Sequence, residues 1–412
     1  MKKKMLFLFM AVLLLIATAC SDSSGNAESS GSSSGGGKDN VVKIGSLHPL
    51  SGGLAMEGQE MRDAIRLAVE ETNEAGGIQS LGGAKVELVE ADHEGAPEKG
   101  VSEVNNLERA GVLGIIGTYA SGVALPATQE AERSGIPFVI DIGSADELTE
   151  RGFKYTFRLQ PPATSFSKDF LNYYEELNKS ADTPLKTAVL IHEDSVFGSS
   201  VAKAIEEHAN EYGLEVLATL PHAASAADLS STINRVKSLN PDIVATTTYL
   251  RDGVMLVEGL HNAGVKSKAI IGVANGAFSN ASFITDSADI NNLIMDVNYS
   301  INPKSELTAE VKAKFKEKYN KNLGPNAAYS YMAAKVLIDA IERAGKNDRD
   351  AVQKALTETD YHDHILPQDS IKFDEKGQNM NASAVLNQIF DGETKVVYPE
   401  AFKEEDPVYP AN

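Results

Sequence analysis

Residues 114–149, GIIGTYASGVALPATQEAERSGIPFVIDIGSADELT, restrict the possible folds more than any other stretch of this chain. The apolar run at 114–118 reads as a strand, 121–133 as a helix, 136–140 as a second strand and 146–151 as the start of another helix. Two strand–loop–helix units in succession call for a parallel sheet, and both strands then deliver a small, hydroxyl-bearing loop to its carboxyl edge. Open α/β sheets bind ligands at that edge, where unpaired N–H groups at helix starts attract anions. Ser121 and Ser144 stand in the two loops, either as donors to a ligand or as plain N-cap serines.

The same alternation extends in both directions. A strand at 41–47 leads through the loop HPLSGGLAMEG to a helix at 59–73, whose Ala64, Ile65, Ala68 and Val69 share a face and which stops at Gly76-Gly77. A strand at 85–90 and a helix at 97–110 complete the first part. After 157–159 and the breaker Pro161-Pro162 the programme restarts: helix 165–177, strand 187–191, loop HEDSVFG, helix 199–212, strand 214–220, helix 229–238, strand 243–247 and a loop at 248–251. The loop ending at Gly58 answers the one ending at Gly198, and 119–121 answers 248–250. Strands at 269–273 and 293–297, helices at 307–319, 327–344 and 348–357, and strands near 370–373 and 384–390 follow. The expected fold is α/β, with two doubly wound parallel-sheet lobes: 41–159 plus 299–371, and 160–298 plus 372–412. Crossings near Leu159, Asn298 and Phe373 make a three-crossing hinge.

A chain of 412 residues that is 42% apolar can bury a core in each of two domains. With 38 Lys and Arg against 58 Asp and Glu, the net charge of -20 repels nucleic acid and anionic lipid surfaces, and the absence of Trp removes the best base-stacking side chain. Residues 1–19 are of another kind: Lys2, Lys3 and Lys4, an apolar run to Ala17, then Thr18-Ala19 and Cys20, the only cysteine. The run is a signal peptide, too short and wrongly flanked for a membrane span. A lone cysteine makes no internal disulfide. Its place after Ala19 resembles a bacterial lipobox, with Ala17 where Leu is usual, and implies a lipid-anchored protein on the outer face of the cell membrane. Residues 20–40 are then the lipidated Cys20 and a Gly/Ser-rich tether, with a reach of roughly 25 Å for about twenty flexible residues.

Catalytic signatures are missing. Ser121 lacks the glycines of a nucleophile elbow, and no phosphate-binding glycine motif follows a strand. His362-Asp363-His364 lacks metal-ligand spacing, and Glu193-Asp194 point to opposite faces if extended. No enzyme activity, cofactor or metal is expected.

The segments KIGSLHPLSGGLAMEGQEMRDAIRLAVEETNEAGGI, IIGTYASGVALPATQEAERSGIPFVIDIGSADELTERGFKYTFRL, VLIHEDSVFG and IKFDEKG, in that order, resemble the leucine/isoleucine/valine-binding proteins. These are type I periplasmic binding proteins, the solute-binding components of branched-chain amino-acid ABC importers. The resemblance spans 42–390 and implies two lobes closing over one carboxylate-bearing solute, with an ABC permease and ATPase as partners. It implies that the loops at Ser121 and at Ile142-Gly143-Ser144 hold the carboxylate, with Tyr119 beside them, and that Phe197 and Tyr249 close from the far lobe. Ser121 is expected to have the ligand as its main partner, so that its loss spares the stability of the empty protein. Two departures bear on the ligand. The family's ammonium-pairing glutamate falls on Ala274, followed by Asn275, and Glu57 stands where better-known members carry an aromatic residue. Asp141 or Asp252 can supply the missing charge, and Arg251 a second carboxylate site. A sensor that signals on closure, a binder of non-amino-acid carboxylates or amides, and a secreted hydrolase are the competing readings.

Overall fold

In the computed structural model, which describes residues 40–286 and 288–410, the aliphatic runs pair into two main sheets. The signal peptide, Cys20 and the tether up to residue 39 lie outside the described residues. The first sheet contains β1 (Val41–His48), β2 (Lys85–Asp92), β3 (Ile115–Gly117), β4 (Phe138–Ile140) and β5 (Thr156–Arg158), in the order β2-β1-β3-β4-β5 and parallel throughout. Between them run α1 (Ala55–Glu74), α2 (Pro97–Ala110), α3 (Ser121–Arg133) and the single turn α4 (Glu147–Glu150). α1 buries Met61, Ala64 and Ile65 on one face of the sheet, while α3 buries Ala124, Ala127 and Ala131 on the other.

After α5 (Ala163–Ser180), β6 (Thr187–Glu193), β7 (Glu215–His222), β8 (Ile243–Thr247), β9 (Ala269–Val273) and β10 (Met295–Asn298) repeat the scheme as β7-β6-β8-β9-β10, again parallel. Their connections include α6 (Val196–His208), α7 (Ser230–Leu239), α8 (Leu250–Asn262), α9 (Ala281–Asp286) and α10 (Ala288–Asn291). The chain then returns to the first sheet. α11 (Glu306–Tyr319) and α12 (Pro325–Ala344) pack on α1, α12 also meets β3 and β4, and α13 (Arg349–Thr357) packs on α12. α12 is buried on almost every face, which its alanines permit by letting neighbours approach closely. A small pair, β11 (Asp360–Tyr361) and β12 (Ile371–Lys372), precedes the last passage, and β13 (Val385–Phe390) and β14 (Glu393–Tyr398) extend the second sheet antiparallel beyond β10.

Three departures from the sequence reading have physical causes. α6 starts at Val196 rather than 199, because the Ser195 hydroxyl accepts from Phe197 N and the Glu193 carboxylate accepts from Gly198 N at 2.7 Å. α8 was missed, with only 248–251 read as a loop; its Gly253 and Gly259 lower helix propensity, yet a Cβ on Gly253 would stand 2.4 Å from that of Ala277, so tight packing demands the glycine. β14 was missed although its signal is present. Asp391-Gly392 has positive φ at both residues, 48° and 82°, and makes the two-residue turn that joins β13 to β14.

Candidate functional site

In both sheets the order 2-1-3-4-5 places a switch point where helices leave on opposite faces, between β1 and β3 and between β6 and β8. The carboxyl ends of the two sheets meet around one cavity. Its lining is Tyr119 and Ser121 beyond β3, Ile142 and Ser144 beyond β4, Gln160 beyond β5, Phe197 beyond β6, Tyr249 beyond β8, Ala274 and Gly276 beyond β9, and Tyr299 beyond β10. The cavity measures about 20 Å³, room for roughly one water. Aromatic rings fill the rest of the gap: Tyr249 lies 5.6 Å from Tyr119 and 5.3 Å from Phe197 between ring centres. Two backbones are held in the left-handed region at this point, Tyr119 at φ 75° and Ala274 at φ 52°, a cost that ordered loops at binding sites commonly carry.

The two serines have different jobs. Ser121 is the first residue of α3, and its hydroxyl accepts from the backbone N–H of Ser144 at 3.0 Å and of Ala145 at 3.2 Å. It therefore ties the second loop to the start of α3, which corrects the expectation that a ligand is its main partner. Ser144 Oγ is buried and, among the described residues, has no hydrogen-bond partner. Neither serine is an N-cap, since Ala120 precedes α3 and Asp146 precedes α4. The loop is held from behind as well. Ala145 O accepts from buried Arg158 at 2.6 Å, and Ser144 O accepts from Ala163 N at 2.8 Å, at the passage between the sheets. Arg158 also donates to Gln378 on the third passage, so the site loop and two of the three passages form one hydrogen-bonded unit.

Tyr119 OH and Gln160 Oε1 are likewise buried without partners, so three unpartnered polar atoms belong to the residues of one small cavity. Burial pushes the phenols of Tyr119, Tyr249 and Tyr299 well above their usual range, and all three remain neutral donors. Ala274 was singled out from sequence as the position of the family's ammonium-pairing glutamate, whereas Gln160, Gly276 and Tyr299 were not. Their one legible signal was position, each at the end of an expected strand.

Other expected residues are not in the lining. Asn275 donates to Thr246 O and Thr248 Oγ1 and accepts from Ala277 N and Phe278 N, so its amide is fully used in shaping its own loop. Gly143 is packed against Leu148 and Ile140, where a Cβ would stand 3.0 Å and 3.2 Å from side-chain carbons. Asp141 is spent too: it pairs with His48 Nε2 at 2.8 Å and accepts from Ser330 Oγ at 2.6 Å and Ile142 N at 2.9 Å, all buried. Arg251 lies on an exposed part of α8 beside a separate cavity of about 330 Å³ shared with Glu258 and Phe283. Asp252 is buried with both oxygens unpartnered, 3.6 Å from His222 Nε2, and burial raises its pKa to about 7. Glu57, in the first turn of α1, is 2% exposed and raised by burial. Its charge adds to the upward shift of Tyr119 and Tyr299, although Glu57 itself is not part of the lining. His362 pairs with Asp360, and no group of three metal-ligating side chains occurs among the described residues.

Residues 41–393 match the family model described as periplasmic binding protein. Leu/Ile/Val-binding protein homolog 7 of Brucella abortus is 33% identical over 382 residues, covering 87% of this chain and 92% of the relative. Among solved structures, the branched-chain amino acid transporter substrate binding protein LivJ from Streptococcus pneumoniae, in complex with isoleucine, superposes with a TM-score of 0.75 at 23% identity over 87% of this chain and 100% of that one. A solute binding protein of an ABC transporter from R. palustris, in complex with benzoate, has a TM-score of 0.75 at 19% identity, over 87% and 95%. At these identities the two structures share the type I fold with this chain.

Proposed function

This chain belongs to the periplasmic binding protein family, and from that premise we propose that it is the solute receptor of an ABC importer, held at the outer membrane face through Cys20. Its lobes, 41–159 with 299–371 and 160–298 with 372–412, close about the three passages over a small carboxylate-bearing solute, foremost a branched-chain amino acid. The observation that carries this reading is the buried, unpartnered Ser144 hydroxyl in the cavity where the carboxyl ends of two sheets meet. Beside it begins α3, whose first two N–H groups, those of Ser121 and Gly122, precede the first intrahelical bonds to Ala120 O and favour a negative charge. A carboxylate there gains charge-assisted hydrogen bonds worth about 1.5–3 kcal/mol each. The names of the relatives support amino acids as the first solutes to test. A second reading, an aromatic or aliphatic acid without an amine, is favoured by a lining that contains no Asp or Glu.

Calorimetric titration of the purified protein with leucine, isoleucine, valine and benzoate tests the proposal. Saturable binding of at least one is expected, and a ligand at about 100 times its Kd should stabilise the protein by about 2.7 kcal/mol. Failure of every small carboxylate to bind would end it. The anchor is tested separately: Cys20→Ser should release the protein from membranes, and retention of the variant there would remove Cys20 from the role.

A further inference from the structure

We propose that Glu57 is the counter-charge for the ammonium group of the solute, so that the receptor selects zwitterionic amino acids and the first lobe holds both charged ends. The inference rests on the carboxylate-receptor reading given above and names its specificity residue.

The argument starts from the switch point of the first sheet. β1 and β3 are adjacent and parallel, and the helices that follow them, α1 and α3, leave on opposite faces. Their first turns therefore flank one crevice. The proposed carboxylate cradle stands on the α3 side, with Ser144 and the loop that Ser121 holds in place. Glu57 stands on the α1 side, in that helix's first turn, close enough to act electrostatically on Tyr119 and on Tyr299, both of which line the cavity. An α-amino acid carries its carboxylate and its ammonium on one carbon, so an acidic group on the other flank of the crevice that holds the cradle is suited to it.

Glu57 is also a carboxylate in want of a partner. It is buried, and among the described residues it bonds to nothing beyond its own backbone N–H. A buried anion without a cation is costly, and that cost is what an incoming ammonium relieves. The alternatives are weaker. Asp141 is spent on His48, Ser330 and Ile142 N, and the Asn275 amide on its own loop. Asp252 also has both oxygens unpartnered and its charge also reaches Tyr119, but it stands at the second sheet's switch point, 3.6 Å from His222 Nε2, whereas Glu57 shares the first sheet's switch point with the carboxylate cradle. No basic group acts on Glu57 in the same way.

The test uses acid pairs with one skeleton, with and without the ammonium: leucine against 4-methylpentanoate, valine against 3-methylbutanoate, phenylalanine against 3-phenylpropanoate. Their affinities are measured by calorimetry on the full protein and on Glu57→Gln, Glu57→Asp and Asp252→Asn, with melting curves to verify folding. The wild type should prefer one amino acid to its deaminated partner by about tenfold or more, the scale of one desolvated charge contact. Glu57→Gln should lose that preference while leaving the deaminated acid within about threefold, and Glu57→Asp should keep part of it. Equal binding of both partners by the wild type, an undiminished preference in Glu57→Gln, or loss of the preference in Asp252→Asn alone would overturn the assignment and leave the carboxylate receptor standing. If the wild type binds neither member of any pair, the underlying reading fails and this one with it.

Discussion

At the scale of single residues, the two loop serines separate a hydroxyl that holds the backbone from one that has no partner among the described residues and is proposed to bind. Ser121 Oγ satisfies two buried backbone N–H groups, so Ser121→Ala should destabilise the protein by about 1–3 kcal/mol, visible as a drop of a few degrees in Tm. Among the described residues Ser144 Oγ satisfies no other polar group. Ser144→Ala should therefore leave the melting curve almost unmoved and weaken carboxylate binding by about 10–100-fold. A Ser144→Ala variant that melts early and binds normally would reverse the two roles. The pair of measurements is needed because either substitution alone changes affinity: one directly, the other by loosening the loop that carries the donor.

At the scale of elements, the two sheets solve one packing problem in one way. The first helix of each lobe folds back over the turn that precedes it, and the contact falls on a glycine. A Cβ on Gly58 would stand 2.0 Å from Pro49 O, and one on Gly198 would stand 2.2 Å from Glu193 O. Neither glycine has a positive φ, so the requirement is close approach rather than backbone freedom. Gly198→Ala should cost about 1–3 kcal/mol in chemical denaturation, from overpacking against a backbone that cannot yield. An unchanged midpoint would mean that the turn can shift to make room. The same reasoning explains why the repeat was visible from sequence: the matching glycines mark the same geometric constraint in both lobes.

At the scale of the whole molecule, closure and charge make the predictions. Addition of a bound solute should change the radius of gyration in solution scattering if the lobes turn about the three passages, and an unchanged profile at saturation would argue against a hinge. Stability should also depend on pH in a particular sense. Burial raises the carboxyls of Asp252, Asp296 and Glu60 to about 7. Groups raised in the folded state hold more protons there than when unfolded, so their contribution is full below their unfolded values and is lost as pH rises through about 7. Histidines work the other way: burial lowers His93 to about 4 and also lowers His222 and His364, and their contribution is lost as pH falls below the unfolded value of 6.5. Above pH 6.5 the gain from the histidines is more than half complete and the loss from the carboxyls is the larger change, so Tm should fall between pH 6.5 and 8, and Asp296→Asn should flatten the fall. A Tm that rises from pH 6.5 to 8 would contradict these burials.

The order of the elements, the parallel sheets and the two-fold repetition were determined by the sequence alone, because apolar periodicity, Gly-Gly and Pro-Pro breaks and strand–helix alternation are local signals. So was the edge where the cavity-lining residues gather, since a strand that reads as parallel fixes where its following loop must stand. What only the tertiary structure decided is which polar groups in those loops are already used. Asn275 and Asp141 look as available in the sequence as Ser144 and Glu57, yet the side chains of the first two take partners brought from 27 to 189 residues away, whereas those of the last two show no hydrogen bond to another residue among the described residues. Hydrogen-bond partnership across such distances depends on packing, and no periodicity records it.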